Sequence, residues 1–557
     1  MQSSQIILKK LVENSESKYS VSRKRKNLCN TITQSLVYSA EVGVEIGKTI
    51  VNPRLTIPFF SGNNIFPGIP HFNGNAFLGS LGFDSDKAEE LSKVAMKTRN
   101  GIASYWSGPF LPALYVVSND SRRALVQEAH VGSINKYAED YLSWLTGDNG
   151  AMINFLAFTS INSTRYKLPR KFLMRFFHAN AKNRIPEIDI ATKNYLKQYT
   201  LDQRNNTRSL REFISLLVLN TSSQMLGLTG CTLDKLYLEN QRYRYAIDNV
   251  AQYEISETIK PEFEEILFNL FCEILKRNFD EISIGNKDED FIQCVFESRS
   301  LLFPKKYEDF FNLPKKEQYA ISMVFVSVML GGLIHSTINS LDWALARLFK
   351  DASKFTELIE LMKRHADLDL TCEKNFDKSG SLAKLSEWVL QNVYLYPTFS
   401  HQFFFNSKPL AETLPDKNKI SIPARSVIIV NYLKCNIFNK NIDTNNFAKS
   451  LSDDSTIGKF VMNKEVSSFG GSKISKDNKK SRICPGAKTS LYEQMVIIAR
   501  LLRDYNLKLS DSKQLSCDID NDKFPLCSRK ETGSLEISPK FPDFLEKKPI
   551  RHYRKIV

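Results

Sequence analysis

The stretch Ser481-Arg482-Ile483-Cys484-Pro485-Gly486-Ala487-Lys488 runs straight into an amphipathic helical pattern, and its cysteine is the side chain best placed to do chemistry. A helix N-terminus favours negative charge and therefore the thiolate over the thiol. Pro485 and Gly486 suit a turn in which backbone N–H groups approach the sulfur. A thiolate held in this way suits ligation of a metal ion. The same pattern also suits a buried cysteine that merely begins a helix, and these residues by themselves leave both readings open. A second set of reactive side chains lies upstream. His335, Ser336 and Thr337 combine an imidazole that carries protons near neutral pH with two hydroxyls.

Those groups need elements that bring them together. Between Asn154 and Arg347 the apolar spacing is mostly helical, and the long apolar run Ala320 to Ile334 is expected to be buried. Leu385 to Leu395 reads as a helix that ends before Pro397, because a proline disfavours helical backbone in the residue ahead of it. Leu210 to Leu226 and Pro261 to Arg277 have helical apolar spacing. Ala113 to Val117, within a Pro53 to Asp120 region of short strands, and the alternating Ile420 to Tyr432 read as strands. Ser510 to Val557 reads as strands and loops. The expected fold class is mainly α with a small β-rich part. It forms one domain over residues 53–557, after a polar N-terminal extension over residues 1–52. In that extension Ser35 to Val51 reads as an amphipathic helix, packed on the body of the protein or lying on a membrane surface.

Five segments in this order carry a resemblance. Phe66-Pro67-Gly68-Ile69-Pro70 with Gly74-Asn75, Tyr166 to Leu173, Met329 to Leu345, Tyr394-Leu395-Tyr396-Pro397 and the Cys484 stretch together resemble the cytochrome P450 family, over most of the chain. The resemblance implies the cytochrome P450 fold, a haem b cofactor and Cys484 as the thiolate ligand of its iron. It implies Arg482 and Arg170 as partners of the haem propionates, and Tyr166 in place of a tryptophan that also reaches them. Bidentate Arg–carboxylate pairing suits that role. It further implies Phe469 packed near the thiolate, Gly486 in the ligand loop, and Ser336, His335 and Thr337 in the distal proton relay.

Several positions depart from the family pattern. In one register Ser336 stands for a threonine, His335 for an acid, and Leu333 crowds the groove where oxygen sits; sliding it by one restores Gly331-Gly332 as the small pair and puts His335 at the alcohol position. The loop from Phe469 to Cys484 covers 15 positions, longer than the common spacing, and its Lys473 to Lys480 part is lysine-rich. Gln391 and Tyr394 occupy the Glu-x-x-Arg positions, and Phe447-Ala448-Lys449-Ser450-Leu451 replaces the partner arginine motif. Losing all members of a buried charged network together can be nearly neutral, whereas losing one is costly. A repacked neutral core is therefore expected. The implied activity is a haem-thiolate monooxygenase acting on a hydrophobic small molecule such as a lipid, sterol or xenobiotic, with an NADPH-dependent reductase or other electron donor. The alternatives are a hydroperoxide-using isomerase, dehydratase or peroxygenase, and a non-catalytic binding or scaffold protein.

Composition sets the outer bounds. The 557 residues include 42% hydrophobic residues with 37 Phe and 21 Tyr, ample for one large core. The longest mainly apolar run falls short of the ~18 residues a membrane span needs. Nine scattered cysteines, without metal-ligand spacing or a signal peptide, point to an intracellular, reducing compartment, cytoplasmic or peripheral to a membrane. The net charge of +15 is diffuse, which favours anionic lipid or an acidic redox partner over nucleic acid.

Overall fold

The computed structural model describes residues 66, 68–72, 85–108, 111–126, 173–179, 181–201, 208–228, 231–253, 261–282, 311–312, 318, 322, 327–405, 410–422, 426–439, 442, 447, 457–462, 469, 484–509, 515–521, 527–530 and 534–540. The expected helix at Ser35 to Val51, the boundary between residues 52 and 53, the lysine-rich Lys473 to Lys480 stretch, and Tyr166, Arg170 and Arg482 lie outside them. The described part is mainly helical with a smaller β part. The helices that build and support the site are α1 (Ser85–Met96), α2 (Ala181–Leu201), α3 (Leu210–Met225), α4 (Gln241–Tyr253), α5 (Ser336–Lys350), α6 (Ala383–Leu395), α7 (Ile457–Met462) and α8 (Ala487–Asp504).

Helix α8 is buried at every residue from Thr489 to Leu502. Burial on all sides marks a core helix rather than an amphipathic surface one. Its polar residues must then be paired, and they are: Arg500 holds Asp189 of α2 bidentately at 2.5 and 2.6 Å. Helix α3 begins at a Ser209 cap, whose hydroxyl accepts from the Glu212 N–H at 3.1 Å, satisfying one of the donors a helix start leaves open. The central helix runs in two parts. A π-helical segment, Ser327–His335, passes without a break into α5. Such widened turns often accompany functional sites.

The far end of α5 is strapped by the C-terminal part of the chain. Trp343 stacks on Tyr396 with centroids 4.0 Å apart and donates to the Cys527 carbonyl at 2.7 Å. Asp342 pairs with Arg529 at 2.8 Å, both fully buried. Helix α6 starts at Ala383, two residues ahead of the expected Leu385, and stops at Leu395 as Pro397 requires.

Nine strands lie among the described residues: β1 (Ile102–Gly108), β2 (Leu111–Val116), β3 (Arg208–Ser209), β4 (His401–Phe405), β5 (Leu410–Thr413), β6 (Lys419–Ile422), β7 (Val427–Asn431), β8 (Tyr505–Leu509) and β9 (Ser534–Pro539). The largest sheet has the order β1-β2-β7-β4, with β2 and β7 parallel and the other pairs antiparallel. Ile420 to Tyr432, expected as one strand, is instead divided. β6 pairs with β5 in a hairpin, β7 joins the main sheet, and Tyr432 starts a short helix. The β7 strand is buried on both faces, so its run of branched residues needs no alternation. Beneath this sheet a neutral polar cluster ties α1 to the strands. Tyr115 Oη lies 2.9 Å from Ser92 Oγ, 2.7 Å from His401 Nε2 and 2.8 Å from Asn431 Nδ2. Burial pushes His401 down to about 3 and raises the Tyr115 phenol above its ordinary value. No helix among the described residues is long and apolar enough to cross a membrane.

Candidate functional site

Cys484 sits just ahead of α8, half-buried against the main core. Its N–H donates to the Phe469 carbonyl at 2.9 Å, and its own carbonyl accepts from Ala487 N–H at 3.3 Å. Pro485 and Gly486 make the turn between them. The helix cap position is Gly486 itself, with no side chain hydrogen-bonded over the first turn. A Cβ built on Gly486 would meet Leu333 Cδ1 at 3.8 Å and Cys484 Sγ at 4.0 Å. The sulfur and Leu333 of the π-helical segment thus approach the same side of Gly486.

The central helix presents different faces to different neighbours. Leu333 and Thr337, four residues apart, share the face toward α8. Thr337 Oγ1 donates to the Leu333 carbonyl at 2.9 Å and lies 2.8 Å from Ser490 Oγ. Ser340 donates to Gln494 Oε1 at 2.9 Å, and Gln494 Nε2 donates to Ser490 Oγ at 3.3 Å. These hydroxyls and the amide form a polar seam between α5 and α8. Ser336 Oγ donates to the Gly332 carbonyl at 2.5 Å, with the Leu333 carbonyl at 3.1 Å. It marks the junction where the π segment gives way to α5. His335, buried, turns the other way: its Nε2–H donates to the Ile247 carbonyl of α4. Two residues along the helix is about half a turn, so His335 and Leu333 point to opposite sides.

Of the expected site residues, the structure therefore gathers Cys484, Gly486 and Phe469 with Leu333, and places Thr337 and Ser336 on adjoining turns. His335 is on the α4 side of the helix. The segment that follows Arg170 lies beside the site, because Thr489 in the first turn of α8 donates to the Phe177 carbonyl at 2.6 Å. Gln391 and Tyr394 form no acid–base pair on α6, and Tyr394 is fully buried.

Sequence reasoning missed the Ser490–Gln494 seam and Glu493. The heptad-like run of α8 gave no signal that these polar residues face inward. The Glu493 carboxyl is fully buried, with Oε1 accepting from Thr221 Oγ1 at 2.6 Å and Ser222 Oγ at 3.4 Å. Its other oxygen, Oε2, has no hydrogen-bond partner. Burial outweighs the two hydroxyls and pushes the carboxyl up to about 7.

The donor set can be tested against the expected haem. No group of three or more His, Cys, Asp or Glu side chains among the described residues could hold a metal ion. Cys484 would be one ligand of a haem iron, the macrocycle supplying the others. A glycine floor beside a thiol, opposite a widened helix turn, fits that use. The space is set by one side chain. A flat ring between two surfaces needs ~7 Å, a van der Waals contact on each face. The Leu333 methyl stands 3.8 Å from the Gly486 Cβ position, ordinary van der Waals contact, so Leu333 occupies the space such a ring would need. The thiol is a ligand of the right chemistry, and Leu333 is packed where a ring over Gly486 would lie.

No family model matches the chain, and no curated protein matches it.

Proposed function

We propose that the chain is a haem-thiolate oxidoreductase of the cytochrome P450 type, with Cys484 as iron ligand and haem b as cofactor. Its reaction is the monooxygenation of a hydrophobic small molecule, with electrons from a reductase or another donor. The single observation that carries the reading is the meeting of Cys484 Sγ, Gly486 and Leu333 across the gap between the α8 turn and the π-helical segment. A bound haem would supply oxygen activation, with the thiolate raising electron density at the iron. The chain's own residues do the positioning. Phe469 holds the Cys484 N–H, and the Thr337–Ser490 contact sets the spacing of the helices on either side. Arg482 and Arg170 are the proposed propionate partners, with Tyr166 beside them. The site's surroundings are apolar, which suits a hydrophobic substrate. The lysine-rich loop before Cys484 suits an acidic electron donor.

One observation favours a second reading. His335 is committed to the Ile247 carbonyl, which removes it from proton delivery at the distal face. A hydroperoxide brings oxygen and oxidising equivalents together and needs neither a reductase nor that relay. Turnover of a lipid hydroperoxide without NADPH would favour this second reading. Turnover only with NADPH and a reductase would favour monooxygenation.

The test of the shared claim is haem content. Protein purified from cells supplied with haem precursor is expected to carry close to one haem per chain, and Cys484→Ser to lose most of it. Wild-type protein that carries none would leave a binding or scaffold role.

A further inference from the structure

One of the positions where the sequence lacks an ion pair, Tyr394, is filled by a ring that joins others. Tyr394, at the inner face of α6, donates its hydroxyl to the Asn436 carbonyl at 2.9 Å, and Asn436 Nδ2 donates back to the Tyr394 carbonyl at 2.6 Å. The Tyr394 ring lies against Phe447, centroids 5.4 Å apart and planes 48° apart. Phe447 meets Phe460 of α7 edge-on at 6.0 Å, and Phe460 meets Phe469 edge-on at 6.3 Å. The Phe469 carbonyl then takes the N–H of Cys484. At its other end the row is anchored to the central helix, because Trp388 of α6 donates to the Ala344 carbonyl of α5 at 3.2 Å. Tyr394, Phe447 and Phe460 are each at most 1% exposed.

We propose that Tyr394, Phe447, Phe460 and Phe469 form a neutral aromatic row that positions the Cys484 loop relative to the central helix. Edge-to-face rings at these separations attract through their quadrupoles, and close packing leaves them little room to slide. A buried ion pair would hold the same elements only after its charges had been desolvated. The row has no charges to desolvate. Its members are positioning residues, acting on the cysteine through the Phe469 carbonyl. The functional meaning of that positioning rests on the reading of Cys484 as the ligand, whereas the positioning itself can be measured without haem.

The test is the rate at which iodoacetamide alkylates Cys484 in the full-length, haem-free protein, followed by mass spectrometry of the peptide that contains it. Phe460→Ala removes a middle rung and is expected to raise the rate roughly tenfold. Tyr394→Phe keeps the ring and loses only the Asn436 tether, for a rise of about two- to fivefold. The comparison is Phe376→Ala. It deletes an equally buried ring that meets Tyr492 of α8 at 6.3 Å but lies outside the row. That variant is expected to lose stability while Cys484 reacts at the wild-type rate. If Phe460→Ala does not fold, Phe460→Leu replaces it, with a smaller rise judged against Phe376→Leu. An equal effect of the row and comparison variants, or none from the row variants, overturns the proposal. In haem-loaded protein the row variants are expected to convert part of the thiolate-type carbon monoxide spectrum to the thiol type. A wild type that binds no haem defeats the functional reading and leaves the alkylation comparison to decide the row.

Discussion

The hydroxyls of Thr337 and Ser490 meet 2.8 Å apart, and through them the central helix is pinned to the helix that follows Cys484. The direction of this contact is fixed by its neighbours. Thr337 spends its only hydroxyl hydrogen on the Leu333 carbonyl, so Ser490 must be the donor to Thr337. Gln494 then donates to Ser490, and Ser340 to Gln494. Four side chains form one oriented chain across the seam that sets the gap at Cys484.

Thr337→Val keeps the shape and removes the acceptor, leaving the buried Ser490 O–H with nothing to donate to while it still accepts from Gln494. The expected loss is ~1–3 kcal/mol of stability in denaturant unfolding. The double variant Thr337→Val/Ser490→Ala is expected to lose less than the sum of its single changes, with a coupling of ~0.5–1.5 kcal/mol. Additive losses would mean the seam carries no coupled contact.

Glu493 gives the protein a stability term that falls with rising pH. Its carboxyl is held up at about 7 in the folded chain against an ordinary value of 4.5. The folded state therefore binds the proton more tightly. This stabilisation is complete below pH 4.5 and is lost as pH rises through about 7, by up to ~3 kcal/mol. Glu493→Gln, which mimics the neutral acid, should gain stability relative to the wild type as pH rises from 4.5 to 7 and be the more stable of the two above pH 7. A stability difference between the wild type and Glu493→Gln that stays constant between pH 4.5 and 7 would refute the assignment.

His401 contributes in the opposite sense. Burial beside Tyr115 and Ser400 holds it neutral, down at about 3 against an ordinary 6.5. The unfolded chain takes up the proton first, so stability drops as pH falls below 6.5, by ~1.4 kcal/mol per pH unit until about 3. His401→Gln should be less stable at neutral pH yet show a shallower acid limb. Parallel acid limbs in the two proteins would count against a buried neutral imidazole.

Much of the fold was legible because its signals are local. The Pro485-Gly486 turn announced the start of α8, and Pro397 announced the end of α6. Ile420 to Tyr432 misled, because alternation reports a pleated backbone and not which sheet it joins. Its two halves pair with different partners on either side of a turn. At the site, the place of Cys484 and Gly486 just ahead of α8 was legible from the Pro485-Gly486 turn, whereas Leu333 entered only through the family resemblance. The direction of His335 was not, since the π-helical segment before it resets which residues share a face. Tyr394 and Phe460 were invisible as partners of the Cys484 loop. They are linked through rings far apart in sequence, and no local pattern encodes such contacts.

Leu333 separates packing from function. Leu333→Ala is expected to cost the haem-free protein ~2–5 kcal/mol of stability, as deletion of a buried leucine does. If Leu333 gates the space above Gly486, the same change should speed haem uptake from solution, followed by absorbance during titration. Lower stability with unaltered uptake would make Leu333 a core residue only.

The most direct measurement is the absorption spectrum of the purified, reduced protein under carbon monoxide, alongside Cys484→Ala. A thiolate-type Soret shift in the wild type that vanishes in the variant is the predicted result. Bound haem with the same spectrum in both proteins, or none in either, would contradict the assignment of Cys484 as the iron ligand.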